Sequence, residues 1–319
     1  MLSYVVAMLT LAAIYATMAL GLNVMWGMAG MVNFGVAGFF AIGAYAAALG
    51  ETRLGLPIAG GMLAGAALTA AVAGLACLGL RRLRDDYFAI VTLGIAEVVR
   101  TVADNEIWLT HGSDGVSNIP QPLRGLFAAH YDLFYLALCV VLTAASYAVA
   151  EAARAAPFGR VLRALRDDPQ VAAVAGKNVV WFQVRAFALG GAMIGLAGAM
   201  YGQFTQYITP DIFVPLLTIY IFLAVTLGGK GSNTGTLLGT VIVVLVLEST
   251  RFAAGILPGI GAVQIAAGRG MLIGVCFLAI LQLRPGGMLA EPVLRVRRAA
   301  PPQASRSGGG DQASAASDT

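Results

Sequence analysis

A regular series of arginines is the pattern in this sequence that points most directly to chemistry. Arg160, Arg163 and Arg166 recur at every third position, and aliphatic side chains lie between them at helical spacing. The pattern predicts a short amphipathic helix with a basic side, followed after Pro169 by a second helix of small residues that ends at Gly176. A basic helix at a membrane can bind anionic lipid headgroups, and arginine also recognises carboxylates of a protein partner. The local pattern leaves both interpretations open.

The residue types of enzyme active sites do not form a constellation in this sequence. His111 and His130 have no nearby ligand partners, and the three cysteines are scattered through apolar segments. The stretch 227–232 contains a Gly-Lys pair, but it lacks the Gly four residues earlier and the Ser or Thr directly after the Lys of a phosphate-binding loop. We therefore expect no catalytic residue, no metal site, no cofactor and no ATP hydrolysis by this chain itself.

The composition indicates the surroundings of such a helix. The chain has 319 residues, of which 59% are hydrophobic and only 11% are charged, and its mean hydropathy is +0.81. Water-soluble domains carry about 25% charged residues, because their surface faces water. This composition excludes a soluble enzyme, a disulfide-stabilised scaffold and a nucleic-acid-binding protein. It indicates that lipid covers most of the surface.

Long uncharged runs define the elements that must position these residues. A helix needs about 20 apolar residues to cross the hydrocarbon layer, and these runs do not alternate as barrel strands do. We therefore predict an all-α integral membrane protein with 8–10 transmembrane helices. About nine spans are expected, near residues 4–22, 30–49, 57–80, 87–105, 131–150, 186–205, 212–228, 235–249 and 270–284. The stretch 250–267 is interpreted as a loop or a broken helix.

The distribution of basic residues predicts the orientation. By the positive-inside rule, the cytoplasmic segments are those that hold most lysines and arginines, which are 81–86, 151–185, 229–234 and 284–319. Strict alternation of spans then puts Met1 outside, whereas a broken helix between Gly21 and Gly35 would change that.

The domain organisation follows from the same pattern. Residues 1–290 are predicted to form one transmembrane domain, with a cytoplasmic loop at about 151–185. Residues 291–319 are rich in Ala, Ser, Gly and Pro and poor in large apolar side chains, so they are predicted to form a disordered cytoplasmic tail.

The arginine-bearing loop and motifs on both sides of it carry a family resemblance. The loop residues concerned are Phe158, Gly159, Arg160, Arg163, Ala164, Arg166, Asp167, Asp168, Ala172, Ala173 and Gly176. The further motifs are Gly21-Leu22-Asn23, the run 86–94, Leu227-Gly228-Gly229 and Arg284-Pro285. Over roughly residues 15–290 the chain resembles the permeases of branched-chain amino acid ABC transporters. It resembles the second of their two paired permease subunits more than the first.

This resemblance implies a membrane-spanning subunit of an ATP-driven importer for Leu, Ile, Val or related amino acids, with an ABC importer permease-like helix bundle. The implied partners are a second homologous permease subunit, two cytoplasmic ATP-binding subunits, an extracytoplasmic substrate-binding protein and the lipid bilayer, with no nucleic acid. The implied location is a bacterial inner membrane, with the carboxyl terminus in the cytoplasm.

The resemblance also gives the arginine-bearing loop a role. It would couple ATP hydrolysis to transport, with its short helix seated in a groove on the ATPase, and this favours protein docking over headgroup contact. The general ABC importer motif has Glu-Ala-Ala, three residues and then Gly. Here Val171-Ala172-Ala173 precedes Gly176 with only two residues between, and no Glu is present. We expect Gly159→Trp or Arg163→Glu to uncouple hydrolysis from uptake.

Polar residues inside the predicted spans are candidates for a translocation path, because such groups are costly in lipid and often mark a pathway or an ion pair. The candidates are Asn33 with Gly35, Glu97, Gln203 and Glu248. Arg100 and Arg251 each follow one of the glutamates by three residues, so a local ion pair is the competing explanation. The pair Asn33 and Gly35 is consistent with an interrupted helix or with close helix packing.

Three alternatives remain open in the sequence. A secondary transporter or channel would work without an ATPase, but such proteins place polar groups at the midplane of broken helices. A purely structural subunit would support another permease. Related permeases also carry urea or short amides, and the sequence does not distinguish these substrates from amino acids.

Overall fold

The computed structural model describes residues 2–125, residues 130–254 and scattered positions between 268 and 289. It is a bundle of long helices joined by short irregular segments. The helices are α1 Leu2–Leu22, α2 Val36–Thr52, α3 Ile58–Leu80, α4 Asp85–Asn105, α5 Ile107–Thr110, α6 Tyr131–Ala155, α7 Pro157–Asp167, α8 Pro169–Val174, α9 Val179–Thr205, α10 Pro215–Gly228 and α11 Asn233–Ala254. The strands are β1 Val116–Ser117 and β2 Tyr207–Ile208.

The prediction of an all-α membrane protein is confirmed. Five helical segments in the described part of the chain are long and apolar enough to cross a membrane, which are Ser3–Met28, Ile58–Leu80, Tyr131–Ala155, Val179–Thr205 and Pro210–Gly228. Shorter apolar helices cover Val36–Thr52 and Asn233–Ser249. Most of the predicted span 270–284 and the predicted tail 291–319 lie outside the described residues.

The second predicted span, 30–49, was placed wrongly. α1 continues into a π-helical segment, Asn23–Met28, and the chain then leaves helical geometry until α2 begins at Val36. Gly30 has a φ of +79°, which L side chains rarely adopt, so the helix stops there. The interruption expected between Gly21 and Gly35 is therefore present. Non-helical backbone at membrane depth is tolerated where protein covers it.

Glycines let the central helix α9 approach its neighbours at backbone distance. A Cβ on Gly191 would lie 2.6 Å from the Cβ of Ala73 in α3, and one on Gly190 would lie 2.5 Å from the carbonyl oxygen of Gly21 in α1. Small residues promote such packing because helices in lipid associate through van der Waals contact. The α9 glycines therefore let this helix pack closely on α1 and α3.

Contacts between distant segments define two ends of the bundle. The π-helical segment lies beside α7 and the turn 229–232, and this end is called the arginine-rich end. The opposite end holds the α2–α3 connection and the β1–β2 pair. Tyr4 contacts Glu248 late in α11, so the Met1 end of α1 lies at the opposite end, as strict alternation predicts. Which end faces the cytoplasm remains a prediction.

The long connection between α4 and α6 contains a strand that the sequence analysis did not predict. Val116 pairs with Ile208 in an antiparallel two-residue ribbon, and the Tyr207 hydroxyl donates to the Asp114 carbonyl oxygen at 3.0 Å. Gly115 has a φ of +69°, and a Cβ there would overlap the carbonyl oxygen of Ile208. The ribbon therefore fastens this connection to the chain that follows α9.

Candidate coupling site

The two short helices predicted for the arginine-bearing loop are both present. Pro157 begins α7, where its missing N–H is not needed. Asp168 ends α7 and caps α8, since its Oδ1 accepts from the N–H groups of Gln170 at 2.8 Å and Val171 at 3.1 Å. Gly176 follows α8 with a φ of +74°, as a helix-terminating glycine does.

The apolar side of α7 is held against the membrane helices. Leu162 and Leu165 are buried, and Phe158 stacks on Phe182 of α9 with ring centroids 5.8 Å apart. A Cβ on Gly159 would overlap the carbonyl oxygen of Arg154 and lie 2.6 Å from that of Ala153. α7 therefore rests directly on the backbone at the end of α6.

The three arginines of the predicted basic stripe do not share one environment, which corrects the expected common face. Arg160 is exposed. Arg163 is half-buried, and its guanidinium donates to the carbonyl oxygens of Gly159 at 3.3 Å and Arg154 at 3.5 Å. Arg166 is half-buried and donates to the carbonyl oxygen of Gly27. Two of the three therefore bind backbone carbonyl oxygens of the chain, and one of these, on Arg154, lies at the end of α6, where helix carbonyl oxygens lack intrahelical partners.

A groove of about 560 Å³ lies between α7 and α8. Its lining residues are Pro157, Arg160, Val161, Ala164, Asp167, Asp168, Val171, Ala172, Ala175 and Lys177. The eleven predicted coupling residues thus divide into three sets. Five line the groove, which are Arg160, Ala164, Asp167, Asp168 and Ala172, whereas Phe158, Gly159, Arg163 and Arg166 contact other parts of the bundle. Ala173 and Gly176 are exposed and do not line the groove.

A buried polar network beneath α7 was missed by sequence reasoning. The side-chain amide of Asn23, in the π-helical segment, donates to Asn233 Oδ1 at 2.9 Å and accepts from the N–H of Gly231 at 2.8 Å. Asn233 then donates to Glu151 Oε2 at 2.9 Å, and Glu151 is paired with Arg154. The network ties together α1, α11 and the end of α6. The sequence signal that could have indicated this network is Asn23, a polar residue within the first fifty residues, which contain no charged side chain.

The π-helical segment is packed between this network and α7. A Cβ on Gly27 would lie 2.5 Å from the N–H nitrogen of Gly231, so only glycine fits there. Trp26 packs on Phe222 of α10 with ring centroids 5.0 Å apart, and the Lys230 ammonium lies 5.9 Å from the Trp26 ring. π-Helical turns occur frequently at functional sites. Here the turn joins α7 to the first two membrane helices.

Asn33 and Gly35 close the break before α2. Asn33 is buried, its Oδ1 accepts from the N–H of Gly35 at 2.8 Å, and its amide contacts the sulfur of Met25 at 3.1 Å. A Cβ on Gly35 would lie 2.6 Å from the carbonyl oxygen of Thr92 in α4. These two candidates therefore hold an interrupted helix against α4.

The remaining path candidates lie in three separate places. Glu97 is on the exposed side of α4, where Arg100 Nε donates to both carboxylate oxygens at 3.1 and 3.2 Å, so the local ion pair is present. Gln203 is buried and donates to Glu51 Oε1 at 2.7 Å, and Glu51 is a buried carboxylate that sequence reasoning did not select.

Glu248 is buried late in α11 and accepts from the Tyr4 hydroxyl at 3.2 Å. It borders a cavity of about 260 Å³ that Tyr15, Tyr201 and Tyr220 also line. The side chain of Arg251, its expected partner, lies outside the described residues. The predicted path residues therefore lie at separate places in the described part of the structure and do not form one site.

The comparison with known families covers nearly the whole chain. The family described as branched-chain amino acid transport system / permease component matches residues 4–282. The chain belongs to this family. It is a family of transport permeases, in agreement with the bundle of apolar helices.

Several curated relatives have names that fit the family. The high-affinity branched-chain amino acid transport system permease protein LivM of Escherichia coli is 33% identical over 272 residues, covering 76% of this chain and 62% of that protein. The LivM of Salmonella typhimurium is 32% identical with the same coverage. The corresponding LivH of Escherichia coli is 26% identical over 253 residues, covering 73% of this chain and 80% of that protein.

The expected likeness to the second, M-type permease subunit is confirmed by the higher identity to LivM than to LivH. The chain spans less than two thirds of the length of these LivM relatives. No solved structure matches.

Proposed function

We propose that the chain is the membrane-spanning permease subunit of an ATP-driven importer for branched-chain or related amino acids. The observation that carries this proposal is the α7–α8 element. It presents an open groove on one side, and it is fastened on the other side to α6, α9 and the π-helical segment. In a chain of this permease family, such an element suits the transfer of movement from a soluble motor to membrane helices.

The partners follow from this assignment. ATP would be hydrolysed by two cytoplasmic ATP-binding subunits, the membrane pathway would be completed by a second homologous permease, and an extracytoplasmic binding protein would deliver the substrate. The arginine-rich end would then face the cytoplasm of a bacterial cell, with the chain in the inner membrane and its carboxyl terminus inside. The excess of basic residues at that end supports the orientation.

The mechanism proceeds through the contacts of α7. A side chain of the ATP-binding subunit occupies the groove, whose wall carries Arg160 and Lys177 on one hand and Asp167 and Asp168 on the other. When ATP closes the motor, α7 moves as a unit because Leu162 and its neighbours are packed. Backbone contact at Gly159 carries the movement to α6, and the Arg166 guanidinium carries it to Gly27.

The break at 29–35 is the element that we expect to respond. It lies between the π-helical segment, which α7 contacts, and α2, which packs on α4. Movement at Asn33 and Gly35 would therefore change the position of α2 relative to α1. Gln203 and Glu248 stay as proposed path-lining groups, because they are polar and buried in helices of the bundle.

Reconstitution into liposomes tests the proposal. Purified chain with its second permease, ATP-binding subunits and binding protein should accumulate radiolabelled leucine, isoleucine or valine only when ATP is enclosed with the ATP-binding subunits. Urea and short amides should neither compete nor accumulate. Uptake without the ATP-binding subunits would instead establish a secondary transporter or channel. Full uptake by the second permease in the absence of this chain would establish a structural subunit.

A further inference from the structure

One side of α4 has no partner among the described residues, although the opposite side is tightly packed. Ala96 lies so close to Gly38 of α2 that a Cβ on Gly38 would be 2.5 Å from the Ala96 Cα atom. The exposed positions on the other side are Tyr87, Ile90, Gly94, Glu97, Val98 and Thr101. Since Ala96 precedes Glu97 in the chain and is buried in the bundle, this exposed side lies at the depth of the membrane helices.

Charge makes this surface unsuitable for lipid. The side chains of Glu97 and Arg100 are 47% and 28% exposed and form an ion pair on the surface of α4. Charged groups at membrane depth are costly in hydrocarbon and normally face protein or water. Two other helices show the lipid-compatible pattern, because the exposed positions of α3 and of α6 after its first turn carry only aliphatic residues or glycine.

The middle of the same surface is also shaped for another helix. Among the described residues, no atom lies within 4 Å of the place where a Cβ on Gly94 would be, so the backbone of α4 is bare there. Thr101 adds a hydroxyl two turns further on. Small and polar side chains of this kind let membrane helices approach closely and form hydrogen bonds across the contact.

A membrane protein fits this surface, because a soluble subunit does not reach this depth and charged groups are costly in lipid. We propose that the exposed side of α4, centred on Gly94, Glu97 and Thr101, is the surface on which the chain binds a second, homologous permease chain within the bilayer. This inference rests on the proposed function. The similarity of this chain to permeases named LivM and to permeases named LivH supports a homologous partner.

Site-specific photo-crosslinking tests the surface with a matched control. Val98 in α4 is 62% exposed and Val141 in α6 is 63% exposed, so a photoreactive phenylalanine at either site meets whatever surrounds the chain. The tagged chain is irradiated in its native membrane, and adducts are identified by mass spectrometry. The Val98 variant should give an adduct with a homologous permease, at a yield at least about tenfold above that of the Val141 variant.

Three outcomes would overturn the surface assignment. They are the absence of a protein adduct at Val98, equal adducts at both sites, and an adduct at Val98 that joins two copies of this chain. A second substitution tests the same surface without relying on the efficiency of photo-crosslinking. Gly94→Leu should reduce co-purification of the second permease at least about fivefold, whereas Gly79→Leu, at an equally open glycine of α3, should not. Unchanged co-purification with Gly94→Leu would also overturn it.

The two proposals fail in different ways. If wild-type vesicles take up amino acid only with ATP but both Val98 and Gly94 variants behave like their controls, the surface is wrong and the proposed function stands. If Val98 captures a homologous permease but transport needs no ATP-binding subunit, the surface stands and the proposed function is wrong.

Discussion

Buried polar contacts fasten both ends of the bundle, but in the described part of the chain only the arginine-rich end also has a short amphipathic helix seated on the membrane helices. At the arginine-rich end, α7 meets the membrane helices through bare glycine backbone and through one guanidinium on the Gly27 carbonyl oxygen. At the opposite end, a two-stranded ribbon and the buried pair of Glu51 and Gln203 join α2 to the segments around α9. Under the proposed function, movement would enter at the first end and be resisted at the second. Substitutions at the two ends should therefore change different measured quantities.

The largest effect is expected from Gly159→Trp. An indole cannot fit where even a Cβ would overlap the Arg154 carbonyl oxygen, so α7 must leave the end of α6. Amino acid uptake should fall more than about tenfold, while the amount of chain in the membrane stays near that of wild type. Gly79→Trp, at an open position of α3, is the control and should transport normally.

A fall of about fivefold in substrate moved per ATP hydrolysed is expected for Arg166→Ala, because the link from α7 to Gly27 is lost. The matched control is Arg160→Ala, which removes an exposed arginine of the groove and no described contact to the membrane helices. Arg160→Ala should weaken binding of the ATP-binding subunit with little change in the transport-to-hydrolysis ratio. If Arg166→Ala kept the wild-type ratio, the link to Gly27 would have no part in coupling.

Asn23→Ala should destabilise the arginine-rich end by about 1–3 kcal/mol, since Asn233 and the Gly231 N–H lose their buried partner. Thermal unfolding in detergent would show this as a lower midpoint. In a double-mutant cycle, Asn233→Ala should add much less once Asn23 is already replaced. Strict additivity of the two substitutions would mean that the network is not a unit.

A loss of similar or smaller size, about 1–2 kcal/mol, is expected at the opposite end from Gln203→Leu, which leaves Glu51 without its amide donor. This substitution tests directly whether the two ends of the bundle have different roles. Gln203→Leu should lower the unfolding midpoint and change the ratio of uptake to ATP hydrolysis less than Arg166→Ala does. A changed ratio with unchanged stability would reverse the roles assigned to the two ends.

The smallest effect is expected from Arg53→Ala. Its guanidinium donates to the Trp108 carbonyl oxygen at 2.7 Å, but the contact is exposed to solvent. Exposed charged contacts contribute about 0–1 kcal/mol. Uptake and unfolding midpoint should both stay close to wild type, and a large loss of either would show that the α2–α3 connection matters more than its exposure indicates.

Local chemistry made part of this molecule predictable. The arginine spacing together with Pro157 and Pro169 predicted α7 and α8, and the uncharged runs predicted most of the long helices. Each of these signals comes from residues that are close together in the chain. The contacts that fasten α7 could not be predicted in this way. Asn23 and Asn233 are 210 residues apart, and Glu51 and Gln203 are 152 apart, so no local pattern reports their meeting.

Spacing alone also misled in two places. It predicted one basic face for Arg160, Arg163 and Arg166, because helical periodicity gives direction but not the presence of unpaired carbonyl oxygens nearby. The carbonyl oxygens of Arg154 and Gly27 accept from Arg163 and Arg166, so two of the three side chains turn inward. The prediction of a span at 30–49 likewise began the helix too early, because it did not take account of the left-handed conformation that Gly30 permits.

The central claim is that the groove between α7 and α8 is the seat of an ATP-binding subunit. Ala164 lines the groove, and Ala173 is equally an exposed alanine but lies outside it. Single-cysteine variants at the two positions, with the native cysteines replaced, can be joined to the assembled complex by a short thiol-reactive cross-linker. Ala164→Cys should capture the ATP-binding subunit efficiently and Ala173→Cys weakly. Capture at residue 173 but not at residue 164 would contradict the claim.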